Sequence, residues 1–463
     1  MSKLNRRDMI RKTSAVAVAA TAVPFSLPSI LKAESKNDRP TIGAIGVGGQ
    51  GTHDLKLASQ FGDVVAICDA DLAHAERFKG QMAPKADIYQ DYRRLLERKD
   101  IDVIIQGTPD HWHTKINAEA LLAGKDVYGE KPLTLTIEEA KLLRGIVDET
   151  GRVFQTGTQQ RSDKKFQTAV ELVRNGRIGE LKEVWVALPY YSTKGGPFSE
   201  EKVPDTLDWD LYQGQAVEHP YNRYRCHQIY RWWYEYAGGI VTDWGNHHVD
   251  IAHWGMDCDL TGPVSVEARG LFPNAGNAET ELCYNAPDKF FSRMKYANGI
   301  DVLYYSALGD QRRYGAVEPC EPVTEEQTNW LFGIGDVPDE VKKADRNGIM
   351  FVGDQGRVFV NRGGIYGKPV DELPENPLPA DAWRVRPSSD HMGNFFACHK
   401  TGDRPVASAD IEARTITACH LTNLSIRLDR KLNWDPVSEQ IIGDGEAAAM
   451  QSRQVRKGYE IDV

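Results

Sequence analysis

The chain has 463 residues, 41% hydrophobic and 26% charged, which is enough for two or three domains at roughly 150 residues each and too much for one small core. A net charge of −10, with no dense Lys/Arg tract past the extreme N-terminus, argues against nucleic acid as a partner. No apolar run reaches the ~18 residues that span a bilayer, so no stable membrane insertion is expected after processing.

Residues 1–33 stand apart from the rest. Arg6-Arg7 are followed by Asp8, apolar Met9-Ile10 and basic Arg11-Lys12, then by an apolar stretch from Ser14 to Phe25 and a short zone ending at Ala33. A charged start, a brief apolar centre and a processing zone describe an export signal. The paired arginines give it the twin-arginine (Tat) form, which moves folded proteins across the inner membrane, so the expected location is the periplasm. Seven cysteines (68, 226, 258, 283, 320, 398 and 419) include no C-x-x-C pair and no zinc-ligand spacing. Most of them read as small buried apolar residues, and no metal is expected.

The segment 38–160 reads as one α/β domain. Short apolar runs at 41–45, 64–67, 101–105, 126–128 and 153–155 alternate with amphipathic stretches such as Trp112 to Leu122 and Ile137 to Val147. Continuous apolar runs suit parallel strands covered on both faces, which predicts a doubly wound parallel sheet. Gly46-Val47-Gly48-Gly49-Gln50-Gly51 follows the first run and opens a helix. Glycines there permit a tight turn, close approach of backbone to a pyrophosphate and close helix packing. Asp69 ends the second run, 18 residues after Gly51, where a carboxylate takes the ribose hydroxyls of NAD and repels a 2′-phosphate. The segment is therefore a Rossmann domain, with Gly46, Gly48, Gly51 and Asp69 as NAD contacts.

Residues 161–463 change texture, to longer strands with tight turns. Leu181 to Tyr191, Val264 to Phe272 and Phe290 to Tyr296 read as strands, and Asn298-Gly299 turns the last into Ile300 to Tyr305. A second hairpin pairs 349–352 with 357–361, while 317–346 and 368–389 read as surface loops. The expectation is an α+β substrate domain with a large, mostly antiparallel open sheet.

Two segments carry chemistry. Tyr128-Gly129-Glu130-Lys131-Pro132 lies at the carboxyl end of a Rossmann strand, where ligands of open α/β sheets bind. In Asp243-Trp244-Gly245-Asn246-His247-His248-Val249-Asp250, a helix would put Asp243, His247 and Asp250 on one face. Oxidising a secondary alcohol needs a base such as imidazole to accept the hydroxyl proton, a carboxylate to orient that base, and a cation to steady the alkoxide.

These motifs, with Thr108-Pro109-Asp110 and His113, Ile178-Gly179 before a strand, and Asn394-Phe395 followed by a late helix ending near Leu432-Asn433-Trp434, make the chain similar to the glucose-fructose oxidoreductase / inositol dehydrogenase / rhizopine-catabolism (Gfo/Idh/MocA) family. The resemblance covers nearly all of the chain after residue 33. It implies that Lys131, Asp243 and His247 are catalytic, and that Thr108, Pro109, His113 and Glu130 join the NAD contacts. Asp110 departs from the asparagine usual after Thr-Pro.

Arg161 and His248 are the candidate substrate contacts, with a salt bridge as the alternative for Arg161. His247, His248 and His253 do not share one helix face, which again argues against a metal. Tyr230-Arg231-Trp232-Trp233-Tyr234 is either a stacking wall for a sugar or core packing. The activity expected is NAD-dependent hydride transfer at a secondary alcohol of a sugar, glycoside or cyclitol; the alternative is redox-assisted glycoside cleavage. An exported enzyme also needs a cofactor that stays bound, with residues 34–40 as a candidate strap. The resemblance further implies a homo-oligomer.

Overall fold

The computed structural model describes residues 39–191, 195–273, 282–312 and 323–461. The segment expected to be an export signal (1–33) and residues 34–38 of the candidate strap lie outside them. No helix among the described residues is long and apolar enough to cross a membrane.

Six strands, β1 (Thr41–Ile45), β2 (Asp63–Cys68), β3 (Asp87–Tyr89), β4 (Val103–Gln106), β5 (Asp126–Gly129) and β6 (Phe154–Thr156), form a parallel sheet of order β3-β2-β1-β4-β5-β6. β4 and β5 are buried along their whole length, which is why their sequences do not alternate. The helices between them are α1 (Gly49–Ala58), α2 (Leu72–Met82), α3 (Tyr92–Leu96), α4 (Asp110–Leu122) and α5 (Ile137–Thr150). Their boundaries follow local chemistry. The Asp71 and Asp91 side chains accept from Ala73 N and Arg93 N to cap α2 and α3, and Thr136 and Glu139 form a capping box on α5, which Gly151 ends in the left-handed region. The three-residue edge strand β3 carries no apolar run and was not legible in the sequence.

A second sheet has nine strands: β7 (Leu181–Tyr191), β8 (Pro263–Leu271), β9 (Lys289–Tyr296), β10 (Asp301–Arg312), β11 (Gly348–Gly353), β12 (Arg357–Asn361), β13 (Gly364–Tyr366), β14 (Leu432–Asp435) and β15 (Gln440–Ile442). Their order is β13-β12-β11-β7-β10-β9-β8-β14-β15, and only the β7–β10 pair is parallel. The period of two is plain along the central strands. Val184, Val186, Leu188, Val302 and Tyr304 face a core built with α6 (Lys164–Arg174), α7 (Ile240–Gly255) and α9 (Ala409–Leu428), while Trp185, Ala187, Leu303, Tyr305 and Ala307 face the opposite way onto Leu331, Phe332 and Val341; the helix α8 (His391–Thr401) belongs to the core of the first sheet. Both faces of the sheet's centre are thus covered.

Three expectations need correction. The late helix α9 stops at Leu428, where Asp429 takes a left-handed conformation, and Leu432-Asn433-Trp434 belong to strand β14 instead. The stretch 317–346, read as loop, holds short helices at Glu325–Leu331 and Asp339–Lys342, and 368–389 begins with one at Lys368–Asp371. α8 packs Met392, Phe395 and Phe396 against strands of the first sheet, a pairing that no local pattern announces. None of the six described cysteines is in a disulfide, and all six are buried.

Candidate active site

A cleft of about 780 Å3 runs from the glycine loop to the start of α7. At its Rossmann end, Gly46 has φ +79°, and a Cβ there would stand 2.6 Å from Thr108 N. A Cβ on Gly51 would meet Gly46 O at 1.9 Å, so Gly51 serves close helix–strand packing and does not itself line the cleft. Gly48 and Gly49 are different. A Cβ at Gly48 would meet nothing nearer than His74 at 3.6 Å, and one at Gly49 nothing within 4 Å, so their backbone faces open space at the start of α1. That is a pyrophosphate cradle at a helix N-terminus. Asp69 sits at the end of β2 and accepts from Val47 N (2.9 Å) and Asp71 N (2.9 Å), which fixes its carboxylate in the cleft wall. The residues present therefore fit NAD. Asp69→Ala should weaken NAD and relieve exclusion of NADP, lowering the NAD/NADP affinity ratio by at least about tenfold in parallel titrations. An unchanged ratio would remove Asp69 from the site.

Thr108, Pro109 and Glu130 also line the cleft. His113 does not. Its ring is buried behind the wall, with Nδ1 2.6 Å from Pro132 O and Nε2 2.9 Å from Thr108 O, so it ties the Thr108-Pro109 turn to the Lys131-Pro132 turn. Glu130 accepts from Gln159 Nε2 (3.1 Å), and burial pushes its carboxyl up, as it does that of its neighbour Asp54.

At the other end, Lys131, Asp243 and His247 line the cleft together. The Asp243 carboxylate is held between Lys131 Nζ and the Arg231 guanidinium. Burial alone would push its carboxyl up, but Arg231 and then Lys131 outweigh that and hold it at about 2. Asp243 is therefore ionised at any working pH. His247 is held well below the ordinary imidazole range, first by burial and then by the charges of Arg362 and Lys131, so it is a neutral base at pH 7. Its Nδ1 has no hydrogen-bond partner. The expected orientation of His247 by a carboxylate is thus not what the structure contains: Asp243 is engaged by two cations, and Asp250 by Arg161.

Arg161 and His248 are not brought to the cleft. Arg161 is buried and donates to Asp250 (2.6 and 2.8 Å) and Asp259 (2.7 Å), with its guanidinium 4.9 Å from the Trp254 ring, so it fastens the start of the second half to α7 instead of meeting substrate. His248 faces into the core, its Nδ1 3.4 Å from the Gln160 side chain and its ring 5.6 Å from Trp244. Of the aromatic run, Tyr230 and Arg231 line the cleft, whereas Trp232 and Trp233 are core.

Sequence reasoning missed three kinds of residue. Arg231 was hidden inside an aromatic run. Arg362 lies in the β12–β13 turn and reaches the cleft beside Trp244 with no local signal. Residues 206–227 form a strap along the wall beside Asp69: Leu72 N donates to Thr206 O (3.0 Å), Asp208 N to Ala70 O (2.9 Å) and Trp112 Nε1 to Tyr212 O (3.0 Å), and Leu211, Tyr212 and His227 join the cleft wall. The strap also brings His227 near Asp71 and His74, whose possible ligand atoms all lie within 4.8 Å of one another. Spacing does not reveal this group, because His227 is remote in sequence. His227 stands 3.4 Å from Asp71 and His74 3.4 Å from Asp69; the hydrogen bond with Asp69 raises the His74 imidazole, whereas burial lowers that of His227 and favours its neutral form.

A glycine loop, a carboxylate at the end of the second strand and a cationic wall at the carboxyl ends of a parallel sheet define a dinucleotide-binding α/β protein. Family models bear on the particular family: one described as "Oxidoreductase family, NAD-binding Rossmann fold" matches residues 41–158, and one described as "Oxidoreductase family, C-terminal alpha/beta domain" matches 185–304. Together they cover just over half of the chain, which belongs to the Gfo/Idh/MocA oxidoreductase family and takes NAD as its cofactor. Among curated proteins it is 32% identical over 206 residues to glycosyl hydrolase family 109 protein 2 of Shewanella sp. (strain ANA-3), across 39% of this chain and 45% of that one. It is 31% identical over 181 residues to inositol 2-dehydrogenase of Salmonella typhimurium, across 38% and 53%. The chain thus matches about half the length of these relatives. Among solved structures, the WlbA dehydrogenase from Bordetella pertussis in complex with NADH and UDP-GlcNAcA shares the fold at TM-score 0.57 and 17% identity, over 86% of this chain and 99% of that one.

Proposed function

We propose that this protein oxidises a secondary alcohol of a carbohydrate or cyclitol, with NAD as a resident cofactor. The observation that carries the reading is that Lys131, Asp243 and His247 line the same cleft as the glycine loop and Asp69. When bound there, NAD supplies a two-electron acceptor for the hydride of the alcohol carbon. The protein's own residues do the rest. His247, neutral because burial and basic neighbours disfavour its charged form, accepts the hydroxyl proton. Lys131 stands next to it as a fixed cation for the developing alkoxide, and Asp243 with Arg231 holds that ammonium in place. The relatives named inositol 2-dehydrogenase support this chemistry, and those named glycosyl hydrolase family 109 support the second reading, redox-assisted glycoside cleavage. Incubation with a panel of sugars, glycosides and inositols, with products identified by mass and NMR, separates the two. Loss of two hydrogens supports oxidation; hydrolysed fragments support cleavage.

Residence of the cofactor follows from the proposed export to the periplasm, which maintains no NAD pool. The strap of residues 206–227 supports it, since hydrogen bonds to Ala70, Leu72 and Trp112 hold this segment along the cleft wall beside Asp69. Protein purified without added dinucleotide, then denatured, should release close to one NAD per chain. Recovery of an empty enzyme that is fully active only with free NAD would overturn the proposal.

A further inference from the structure

We propose that Asp71, His74 and His227 form a binding site for a divalent cation of the zinc class, which clasps the 206–227 strap to the Rossmann wall beside Asp69. No spacing in the chain announces it, because the three residues come from two separate segments. Asp71 caps α2 and His74 stands in its first turn, so the cap and the third helical residue face the same way. Asp71 Oδ1 accepts from Ala73 N (3.1 Å), which leaves Oδ2 turned toward His227, 3.4 Å from its Nε2. His227 arrives with the strap. Its φ is +52°, a left-handed conformation that a residue other than glycine keeps only where its surroundings hold it. Its ring stands 4.6 Å, centroid to centroid, from that of His74.

The distances suit one small ion. One ligand atom from each of the three residues lies within 4.8 Å of the other two. A tetrahedral ion with bonds of about 2.1 Å sets its ligand atoms about 3.4 Å apart, which is the separation of His227 Nε2 and Asp71 Oδ2. The same separation is long for an N–H···O bond, ordinarily about 2.7–3.2 Å. The His227 side chain is 41% exposed, so the outer side of the group is open to a water as fourth ligand. Two imidazole nitrogens and one carboxylate oxygen favour zinc over magnesium or calcium, which take oxygen ligands. Charge agrees with this. Of the ionised groups that act most strongly on His74 and His227, two are carboxylates, Asp69 and Asp71, and one is a guanidinium, Arg77. Asp69 stands outside the ligand set, since its two oxygens accept from Val47 N and Asp71 N. The site therefore adjoins the NAD contact without using it.

The test uses the full chain without an affinity tag, stripped of metal by a chelator and kept in saturating NAD. Calorimetric titration with zinc chloride should show one ion per chain, with a Kd of about 1 μM or tighter, and magnesium chloride should bind at least about 10²-fold more weakly. Zinc at about 100 times its Kd should raise the thermal midpoint by several degrees and slow hydrogen exchange at the amides of 206–227. His227→Gly, which suits the left-handed backbone, and His74→Gln should each weaken zinc by about 10²-fold while circular dichroism shows the fold retained. His53, another histidine of the cleft wall, serves as the control, and His53→Ala should bind zinc as the parent does. Absence of saturable zinc binding, binding that survives both His227→Gly and His74→Gln, magnesium equal to zinc, or bound zinc that leaves exchange in 206–227 unchanged would each overturn the proposal.

Discussion

Replacing His247 with alanine should lower turnover by about 10²- to 10⁴-fold, the usual worth of general acid–base catalysis, while bound NAD remains with the protein. His247 and the glycine loop with Asp69, proposed to hold the dinucleotide, line different parts of the cleft, and Asp69 is fixed by Val47 N independently of His247. The pH profile gives a second check. Burial and the charges of Arg362 and Lys131 lower the imidazole's pKa, so the ring stays unprotonated to a lower pH than an exposed histidine. Activity should be flat through neutrality, and the acid limb of kcat/KM should fall below pH 6.5, the ordinary histidine value. A loss below roughly tenfold, or an acid limb above that value, would place the base elsewhere.

Asp243→Asn should damage both turnover and stability. The Asp243 carboxylate is the counter-charge for Lys131 and Arg231, whose side chains are only 17% and 15% exposed. Removing one member of such a buried set leaves uncompensated cations and costs about 3–5 kcal/mol. Thermal unfolding should therefore shift down by several degrees, and turnover should fall because the ammonium of Lys131 loses its position. Adding Arg231→Met to Asp243→Asn should restore part of the stability and none of the activity, which separates the two roles. An Asp243→Asn protein as stable as the parent would show that the charges are not coupled as the geometry requires.

Much of the frame was legible before any coordinates. Parallel strands announce themselves because burial on both faces demands continuous apolar runs, as in β4 and β5. The Asn298-Gly299 hairpin is written in its turn residues, since Gly299 adopts φ +83°. The nucleotide loop is equally local, because Gly46 and Gly51 fail sterically with any side chain. What failed was of another kind. Arg161 at a strand end looked like a substrate contact, yet it pairs with Asp250 and Asp259, residues about ninety positions away whose approach depends on how α7 packs.

The sequence by itself therefore determined the parallel sheet and the glycine turn, and it singled out Asp69, Lys131, Asp243 and His247, which line one cleft. The first two are imposed by constraints within a few residues: burial of a strand and sterics at a turn. Only the tertiary structure decided their partners. It gave Asp243 to Lys131 and Arg231 instead of His247, moved Arg161 and His248 out of the cleft, and brought Arg362 and the 206–227 strap into it. The physical reason is that charge pairing acts through space, so it is settled by which elements pack together and leaves no period or spacing in the chain.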